Sequence, residues 1–336
     1  MTLKQLKYLL GVVDHGLNIT TAAERLYTSQ PGISKQLRQL EREVGVQLFS
    51  RKGKNLAALT PAGIKVVEYA RKILRDVDNI RNLGRELVAE DEGTLAIATT
   101  HTQARYVLPD VISSFHERYP RVNLELHQGT SEQIAALVAD NRVDFAIATE
   151  SRTAFPELNL LPVYSWDRIV LTPRNHPLAT DDDPLTLEKL AEHPLITYVF
   201  SSTGESSFLQ AFAKKDLEPK VVFTARDADV IKTYVKMGMG AGVIAPMALQ
   251  CDELKDLAAI CAKGMFPRVT TWIGVPRDRV FRRYMAEFVS LFAPHWPFEL
   301  IEQAAAAESQ EEVDRLAAEV DLPLKNGCTE GLPQAA

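Results

Sequence analysis

One predicted helix carries a basic and polar face of the kind that contacts the phosphates and base edges of DNA. The stretch Asn18–Gly45 predicts two short helices separated by a turn, with Asn18 capping the first and Gly45 ending the second. At about 100° per residue, the second helix has apolar residues, Ile33, Leu37, Leu40 and Val44, on one side. The opposite side carries Pro31, Ser34, Lys35, Arg38 and Arg42. Because the second helix of a helix-turn-helix lies in the major groove, this face predicts DNA contact; an ordinary solvated helix face is the alternative.

A second group of basic residues follows in a predicted hairpin. Val46–Ser50 and the turn Lys52–Asn55 predict a short two-stranded wing, with Arg51, Lys52 and Lys54 at its tip. Beside a recognition helix, such a tip is expected to contact phosphates or the minor groove. The alternative is a solvated charged hairpin.

Hydroxyl and amide side chains gather at the ends of three predicted strands. They occur at Thr99–Gln103, at Thr149 and at Ser201–Gly204. In open α/β sheets, ligands bind beyond the carboxyl ends of strands and against helix N-termini. Hydroxyls, an amide and free backbone N–H groups, with no paired cation or general base, predict an anion-binding cleft. Simple helix caps are the alternative for one or two of these residues.

The same stretches lack the groups that catalysis requires. His101 stands among the threonines, but no nucleophile and no carboxylate pair can be placed beside it from the sequence. The three cysteines have neither C-x-x-C spacing nor histidines at ligand intervals. The sequence therefore predicts no catalytic residue, no metal site and no cofactor.

Length and charge indicate two or three domains with one basic end. The chain has 336 residues and no apolar run near the ~20 residues of a membrane span. Its first ten residues lack the features of a secretory signal, so we expect a cytoplasmic protein with no membrane partner. The net charge is −6, yet residues 1–60 hold nine Lys or Arg against four Asp or Glu, whereas residues 299–336 hold two against nine. This distribution fits contact with phosphate at one end only.

A long helix is predicted from Thr60–Gly63 to about Ala89. Its apolar residues repeat every seven positions in two sets, which are Ala70, Val77 and Gly84, and Val66, Ile73, Ile80 and Leu87. Such a narrow stripe on a helix ~40 Å long needs a partner helix. We expect a dimer through a second copy of this helix; packing on the next domain is the alternative.

The remaining chain alternates strands and helices. Residues 93–150 predict βαβαβ with helices at Gln103–Tyr119 and Ser131–Asn141, and residues 168–246 predict a second α/β series. The strand at 270–276 and the helix at 280–292 are expected to return to the first series. Crossovers near Leu161–Asp167 and Gly264–Thr270 would leave a cleft between two lobes.

The predicted fold class is thus α+β overall, with a winged helix-turn-helix, a linker helix and a two-lobed α/β domain. The predicted domains are the DNA-binding domain 1–60, the linker and dimerisation helix 61–91, the effector-binding domain 92–298 and an acidic C-terminal helix with a frayed tail, 299–336. Lobe I comprises 92–162 and 269–298, and lobe II comprises 163–268.

Several motifs resemble a known family. Ala22-Ala23, SQPGISKQLRQLE, GVQLFSR and LTPAG resemble the winged helix-turn-helix of LysR-type transcriptional regulators. Residues 99–106, 118–122, 127–129, 144–150 and 227–235 resemble the subgroup that controls sulfur assimilation and cysteine biosynthesis, and the similarity spans residues 1–295. It implies an effector region similar to periplasmic binding proteins, a homotetramer, and promoter DNA as partner. The residues it implies for DNA contact are Gln30, Pro31, Ser34, Lys35 and Arg38.

The resemblance also implies an effector site. Its residues would be Thr100, Thr102, Gln103, Thr149, Trp166 and Thr203, and its ligand sulfate, thiosulfate, adenylyl sulfate or an acetylserine. Glu205 departs from the family pattern, which continues with a basic residue, so the choice among these ligands stays open. The alternatives are a receptor-like solute-binding module, a LysR-type regulator of another pathway such as organosulfur use, and an enzyme on an α/β scaffold.

Overall fold

The computed structural model of the protein describes most of the chain in two compact units, Met1–Ala89 and Glu90–Ala336. The described residues are 1–52, 55–86, 91–140, 142–149, 152, 155–181, 183–202, 206–277 and 281–325.

Three helices form the core of the first unit: α1 (Leu3–Asp14), α2 (Ile19–Arg25) and α3 (Gln30–Val44). Each begins at the side-chain cap that its local sequence offers, namely Thr2, Asn18 and Ser29. Gly45 ends α3 in the left-handed conformation, with φ 78°. Their apolar faces share one core, which includes Leu6, Leu9, Val12, Ala22, Ala23, Ile33, Leu37 and Leu40. Val44, predicted on the apolar face, is 36% exposed, because it is the last residue of α3.

The wing consists of β1 (Phe49–Lys52) and β2 (Asn55–Leu59), paired antiparallel. The first strand therefore begins three residues later than predicted, and Lys52 pairs with Asn55, the first and last residues of the predicted turn. Lys54 lies outside the described residues.

Helix α4 (Pro61–Glu86) follows the wing and has two environments along its length. A Cβ at Gly63 would lie 2.1 Å from the Leu48 carbonyl oxygen, so the helix start and the wing approach closely. Val67 and Ala70 are buried in the helix-turn-helix core, whereas Ile80, one of the predicted heptad positions, is 68% exposed. Leu87 and Ala89 lie outside the described residues. None of the helices that the structure describes is long and apolar enough to cross a membrane.

Lobe I is built on a five-stranded sheet. Its strands are β3 (Gly93–Thr99), β4 (Val122–Gln128), β5 (Phe145–Thr149), β6 (Leu158–Trp166) and, much later in the chain, β12 (Val269–Pro276), in the order β4-β3-β5-β12-β6. Its helices are α5 (His101–Tyr106), α6 (Leu108–Arg118), α7 (Ser131–Ala139) and α12 (Arg283–Phe292). β3 is parallel to β4 and β5, and β12 is antiparallel to β5 and β6. The return of the late strand and helix is confirmed.

The helix predicted over Gln103–Tyr119 is two helices, α5 and α6, broken at Val107. Pro109 explains the break, since a proline removes one helical hydrogen bond and its ring clashes with the carbonyl four residues earlier. The break leaves α5 as a short, separate helix directly after β3.

Lobe II contains a second five-stranded sheet. Its strands are β7 (Ile169–Pro173), β8 (Leu195–Tyr198), β9 (Val221–Ala225), β10 (Ala241–Ile244) and β11 (Leu257–Cys261), in the order β11-β7-β10-β8-β9. Its helices are α8 (Pro177–Thr180), α9 (Leu187–Glu192), α10 (Ser207–Ala213) and α11 (Ala228–Lys236). β8 is parallel to β9 and β10, and β7 is antiparallel to β10 and β11.

The first predicted crossover was placed too early, because residues 161–166 belong to β6. Pro162 argues against a strand in sequence, but β6 is an edge strand, where a missing N–H is tolerated. The chain passes between lobes at Asp167–Arg168 and again before Val269. Asp167 is buried and pairs with Arg268 at 3.3 Å, so the two crossovers lie side by side.

The C-terminal region contains α13 (Phe298–Ala306) and α14 (Gln310–Ala317). The frayed tail predicted after them is wrong for residues 323–325. Ser165 N–H donates to the Pro323 carbonyl at 2.9 Å, and Lys325 N–H donates to the Ser165 carbonyl at 2.8 Å. Residues 326–336 lie outside the described part of the chain.

Candidate DNA-binding surface and effector site

The outer face of α3 carries the residues predicted to contact DNA. Gln30, Pro31, Lys35 and Arg38 are exposed, and Ser34 is half-buried. A shallow depression of about 290 Å³ is lined by Pro31, Ser34, Lys35, Arg38 and Arg42. Because the opposite face of α3 is buried in the core, the helix can present only this basic face to a ligand.

The basic residues of the wing have different surroundings. Arg51 pairs with Glu41 of α3 at 3.1 Å, and Glu41 also accepts hydrogen bonds from the Leu48 and Phe49 amides, at 3.0 and 3.3 Å. Arg51 therefore ties the wing to the helix, which limits its freedom to reach a phosphate. Lys52 is exposed.

Tyr27 is a further exposed residue of the helix-turn-helix, and the sequence reasoning missed it. It lies in the turn between α2 and α3, is 98% exposed and has a φ of 48°. A bulky residue rarely adopts this conformation. The sequence feature that could have identified it is an aromatic residue directly before Thr28 and Ser29, where α3 begins.

In lobe I, the predicted effector residues lie where two parallel strands end. Thr100 follows β3 and precedes α5, and its side chain makes no capping hydrogen bond. Thr149 is the last residue of β5 and is half-buried. Because Thr99 pairs with Ile147 across these strands, Thr100 and Thr149 stand at the same edge of the sheet.

Gln103 and Trp166 are joined by a buried network. The Tyr164 hydroxyl donates to Gln103 Oε1, and Trp166 Nε1 donates to Thr271 Oγ1 at 3.2 Å. Thr271 pairs with Thr149 on one side and Tyr164 on the other. Burial raises the pKa of Tyr164, partly opposed by hydrogen bonds with Thr271 and Gln103, so the phenol remains a donor. Sequence reasoning missed Tyr164 and Thr271, because only the strand register brings them here.

Thr102 faces the second lobe. It is buried, and its hydroxyl is a hydrogen-bond partner of Tyr198 at the end of β8. Burial raises the pKa of Tyr198, and the bonds with Ala245 and Thr102 offset that rise in part. The last predicted residue, Thr203, lies outside the described residues.

A buried cation stands beside the predicted site, although the sequence suggested none. Arg168 is 4% exposed and donates to Ser207 Oγ at 2.8 Å, and its guanidinium carbon lies 6.0 Å from the Trp166 ring centroid. Ser207 begins α10. The signal was the cation two positions after Trp166. A positive charge at this position favours an anionic ligand.

The lobes are also joined by an ionic cluster between α5 and α11. Asp229 of α11 accepts from the Tyr106 hydroxyl and pairs with Arg105 at 2.7 Å. Lys232 is 3% exposed and donates to the Tyr106 hydroxyl at 2.9 Å and to Glu253 at 2.9 Å. Burial opposes the charge of Lys232, but the bonds to Tyr106 and Glu253 outweigh it and raise its pKa. The cluster thus fixes α5, which carries Thr102 and Gln103, against lobe II.

His101 lies next to this cluster, with Nδ1 buried and without a hydrogen-bond partner in the described part of the chain. A ring nitrogen lies within 4.8 Å of carboxylate oxygens of Asp227 and Asp229. Three such groups can hold a cation, but Asp229 already pairs with Arg105 and Lys232. Two positive side chains on one carboxylate oppose a metal ion, so we assign none.

Comparison with known protein families gives matches over both units. The family described as bacterial regulatory helix-turn-helix protein, lysR family, matches residues 3–64, and the LysR substrate binding domain matches residues 89–297.

Individual relatives agree with this result. The chain is 42% identical to the transcriptional regulator CysB of Haemophilus influenzae over 97% of this chain and 100% of that protein. It is 42% identical to the regulator SsuR of Burkholderia cenocepacia over 88% of this chain and 96% of that one. A crystal structure of the cofactor-binding domain of the Cbl transcriptional regulator matches with a TM-score of 0.60 at 40% identity, covering 65% of this chain and 95% of that one. These relatives are regulators rather than enzymes, and the chain belongs to the LysR family of helix-turn-helix transcriptional regulators.

Proposed function

We propose that this LysR-family regulator binds promoter DNA through α3 and the wing, and senses a small sulfur-related anion or an acetylserine in the cleft. It would act in the cytoplasm and control genes of sulfur assimilation and cysteine biosynthesis. Similarity to CysB and SsuR regulators supports the pathway. The exposed apolar Ile80 on α4 supports a dimer through this helix, and we propose two such dimers in a homotetramer.

The effector proposal rests on four residues that lie close together, namely Thr100, Gln103, Thr149 and Trp166. Their hydroxyl, amide and indole groups gather at the strand ends of lobe I, and the buried Arg168 supplies a positive charge beside Trp166. Polar groups in such a cleft hold a ligand by hydrogen bonds and fix its orientation. Closure of the lobes on the ligand couples effector binding to DNA affinity.

A thermal-shift screen tests the effector proposal. Sulfate, thiosulfate, adenylyl sulfate, O-acetylserine and N-acetylserine are compared, because a ligand at a hundred times its Kd stabilises the protein by about 2.7 kcal/mol. The ligand that stabilises the parent most in this screen is then titrated by calorimetry, and Thr100→Ala should show no heat of binding. Thr94→Ala is the matched control, since Thr94 is exposed at the opposite end of the same strand. An intact signal in Thr100→Ala removes Thr100 from the site.

A salt titration tests the DNA proposal. Arg38→Ala should weaken binding to an upstream promoter fragment and reduce the slope of log K against log salt by about 1 if Arg38 contacts a phosphate. Lys7→Ala is the control, because Lys7 is also exposed but lies on α1. Equal affinities and slopes for both variants and the parent would contradict the assignment.

A further inference from the structure

The C-terminal segment covers the outer edge of β6, the strand that carries Tyr164 and Trp166. β6 pairs with β12 on its inner side and is otherwise the edge of the lobe I sheet. Such an edge exposes unpaired N–H and C=O groups unless something covers it. The segment that covers it begins after residue 297, where the match to the family domain ends.

Hydrogen bonds of two side chains, Gln310 and Asn159, join the C-terminal helices to the first half of β6. The Gln310 side chain of α14 accepts from the Leu160 amide at 2.8 Å and donates to the Leu160 carbonyl at 3.0 Å, as a neighbouring strand would. The side-chain amide of Asn159, through Nδ2, donates to the Ala304 and Ala307 carbonyls at the end of α13, at 2.9 and 2.7 Å. Helices α13 and α14 are thus anchored to the start of β6.

Residues 322–325 hold the second half. They run parallel to β6 and pair with it at Ser165, through Pro323 and Lys325. Lys325 Nζ lies 5.1 Å from the centroid of the Tyr164 ring, within the range of a cation–π contact. Burial of this ammonium lowers the Lys325 pKa, partly opposed by Asp110. The segment therefore contacts Tyr164 and Ser165, the two residues directly before Trp166.

These contacts lie one residue from the predicted effector site. The Tyr164 hydroxyl donates to Gln103, and Trp166 donates to Thr271. Without residues 322–325, the Ser165 amide and carbonyl on the outer edge of β6 lose their hydrogen-bond partners. The positions of both side chains in the cleft then become less defined, and ordering them on ligand binding costs affinity.

We propose that residues 322–325 are a positioning segment for the effector site, which fixes Tyr164 and Trp166 from outside the sheet and thereby sets effector affinity. The inference rests on the proposed effector function. Lys325 itself acts through Tyr164 and does not contact the ligand.

The test compares two truncations of the full chain. A protein ending at Asp321 loses the segment, whereas one ending at Lys325 keeps both backbone hydrogen bonds to Ser165. Binding of sulfate and of N-acetylserine is measured by calorimetry, together with the melting temperature and promoter affinity without effector. Since one net hydrogen bond corresponds to about a two- to tenfold change in an equilibrium constant, the shorter protein should bind at least about fivefold more weakly. The longer one should bind as the parent does.

Point variants separate positioning from general stability. Lys325→Met removes the cation over Tyr164 and should weaken binding about two- to fivefold, as expected for a half-buried cation–π contact. Lys325→Arg keeps a cation over Tyr164 and should bind the effector as tightly as the parent does. A parent protein that binds neither probe overturns the proposed function and this inference with it. If the protein ending at Asp321 binds the probes as tightly as the parent does, the inference alone is overturned. The same holds if its loss of effector affinity is matched by an equal loss of promoter affinity.

Discussion

The ionic cluster between α5 and α11 predicts a large effect for one substitution, Lys232→Met. Lys232 is 3% exposed and donates to Tyr106, to Glu253 and, at 2.8 Å, to the Ala248 carbonyl. Methionine fills a similar volume but leaves all three acceptors without this donor. Breaking a buried ion pair costs about 3–5 kcal/mol. We take the lower end, about 3 kcal/mol, because Asp229 keeps Arg105 as a partner.

The assay is thermal unfolding followed by calorimetry. For a unit of this size, each kcal/mol shifts the melting temperature by about 2–4 °C, so the transition of the second unit should fall by about 6–12 °C. Lys236→Met is the control on the same helix, since Lys236 is 39% exposed and pairs with Asp256 at 3.5 Å. It should change stability by less than about 0.5 kcal/mol. Similar shifts for the two variants would refute the reasoning, as would a fall below about 2 °C for Lys232→Met.

Three further substitutions follow from other parts of the structure. Leu40→Ala removes a fully buried side chain from the helix-turn-helix core and should cost about 2–5 kcal/mol in the calorimetric transition of the first unit. Gly63→Ala should cost about 3 kcal/mol in the same transition, because its Cβ would lie 2.1 Å from the Leu48 carbonyl oxygen; an unchanged melting temperature would contradict the close approach. Burial and the nearby His193 lower the pKa of His176, whose Nδ1 accepts from the Leu178 amide at 3.2 Å. Its stabilising contribution should be complete above about pH 6.5 and lost as pH falls, so His176→Asn, which can still cap the helix, should show a smaller drop in melting temperature between pH 7.5 and 5.5 than the parent.

Local signals predicted the helix-turn-helix well. Asn18 caps α2 and Gly45 ends α3, as predicted, because caps and stops depend on a few neighbouring residues. The two-lobed α/β fold could also be predicted, since the alternation of strands and helices repeats clearly in the sequence, and the structure confirms it.

Features that depend on distant pairing were missed. Tyr164 meets Gln103 across 61 positions, and no local pattern marks it. β6 was not predicted, because residues 161–167 were assigned to a crossover; its Pro162 is tolerated because the strand is an edge. The tail at 322–325 has the composition of a frayed end, and its contacts with Ser165 and Tyr164 of β6, far away in the sequence, order it.

The strand order of lobe I also bears on how the chain is synthesised. β5 and β6 are both completed by β12, which begins about a hundred residues after β6 ends, whereas all the strands of lobe II lie between them. On the ribosome, lobe II can therefore finish folding while β5 still offers an open edge to other nascent chains. A ribosome that stalls between the end of β11 and the start of β12 would release a product with a complete lobe II and a lobe I sheet whose β5 edge is unpaired.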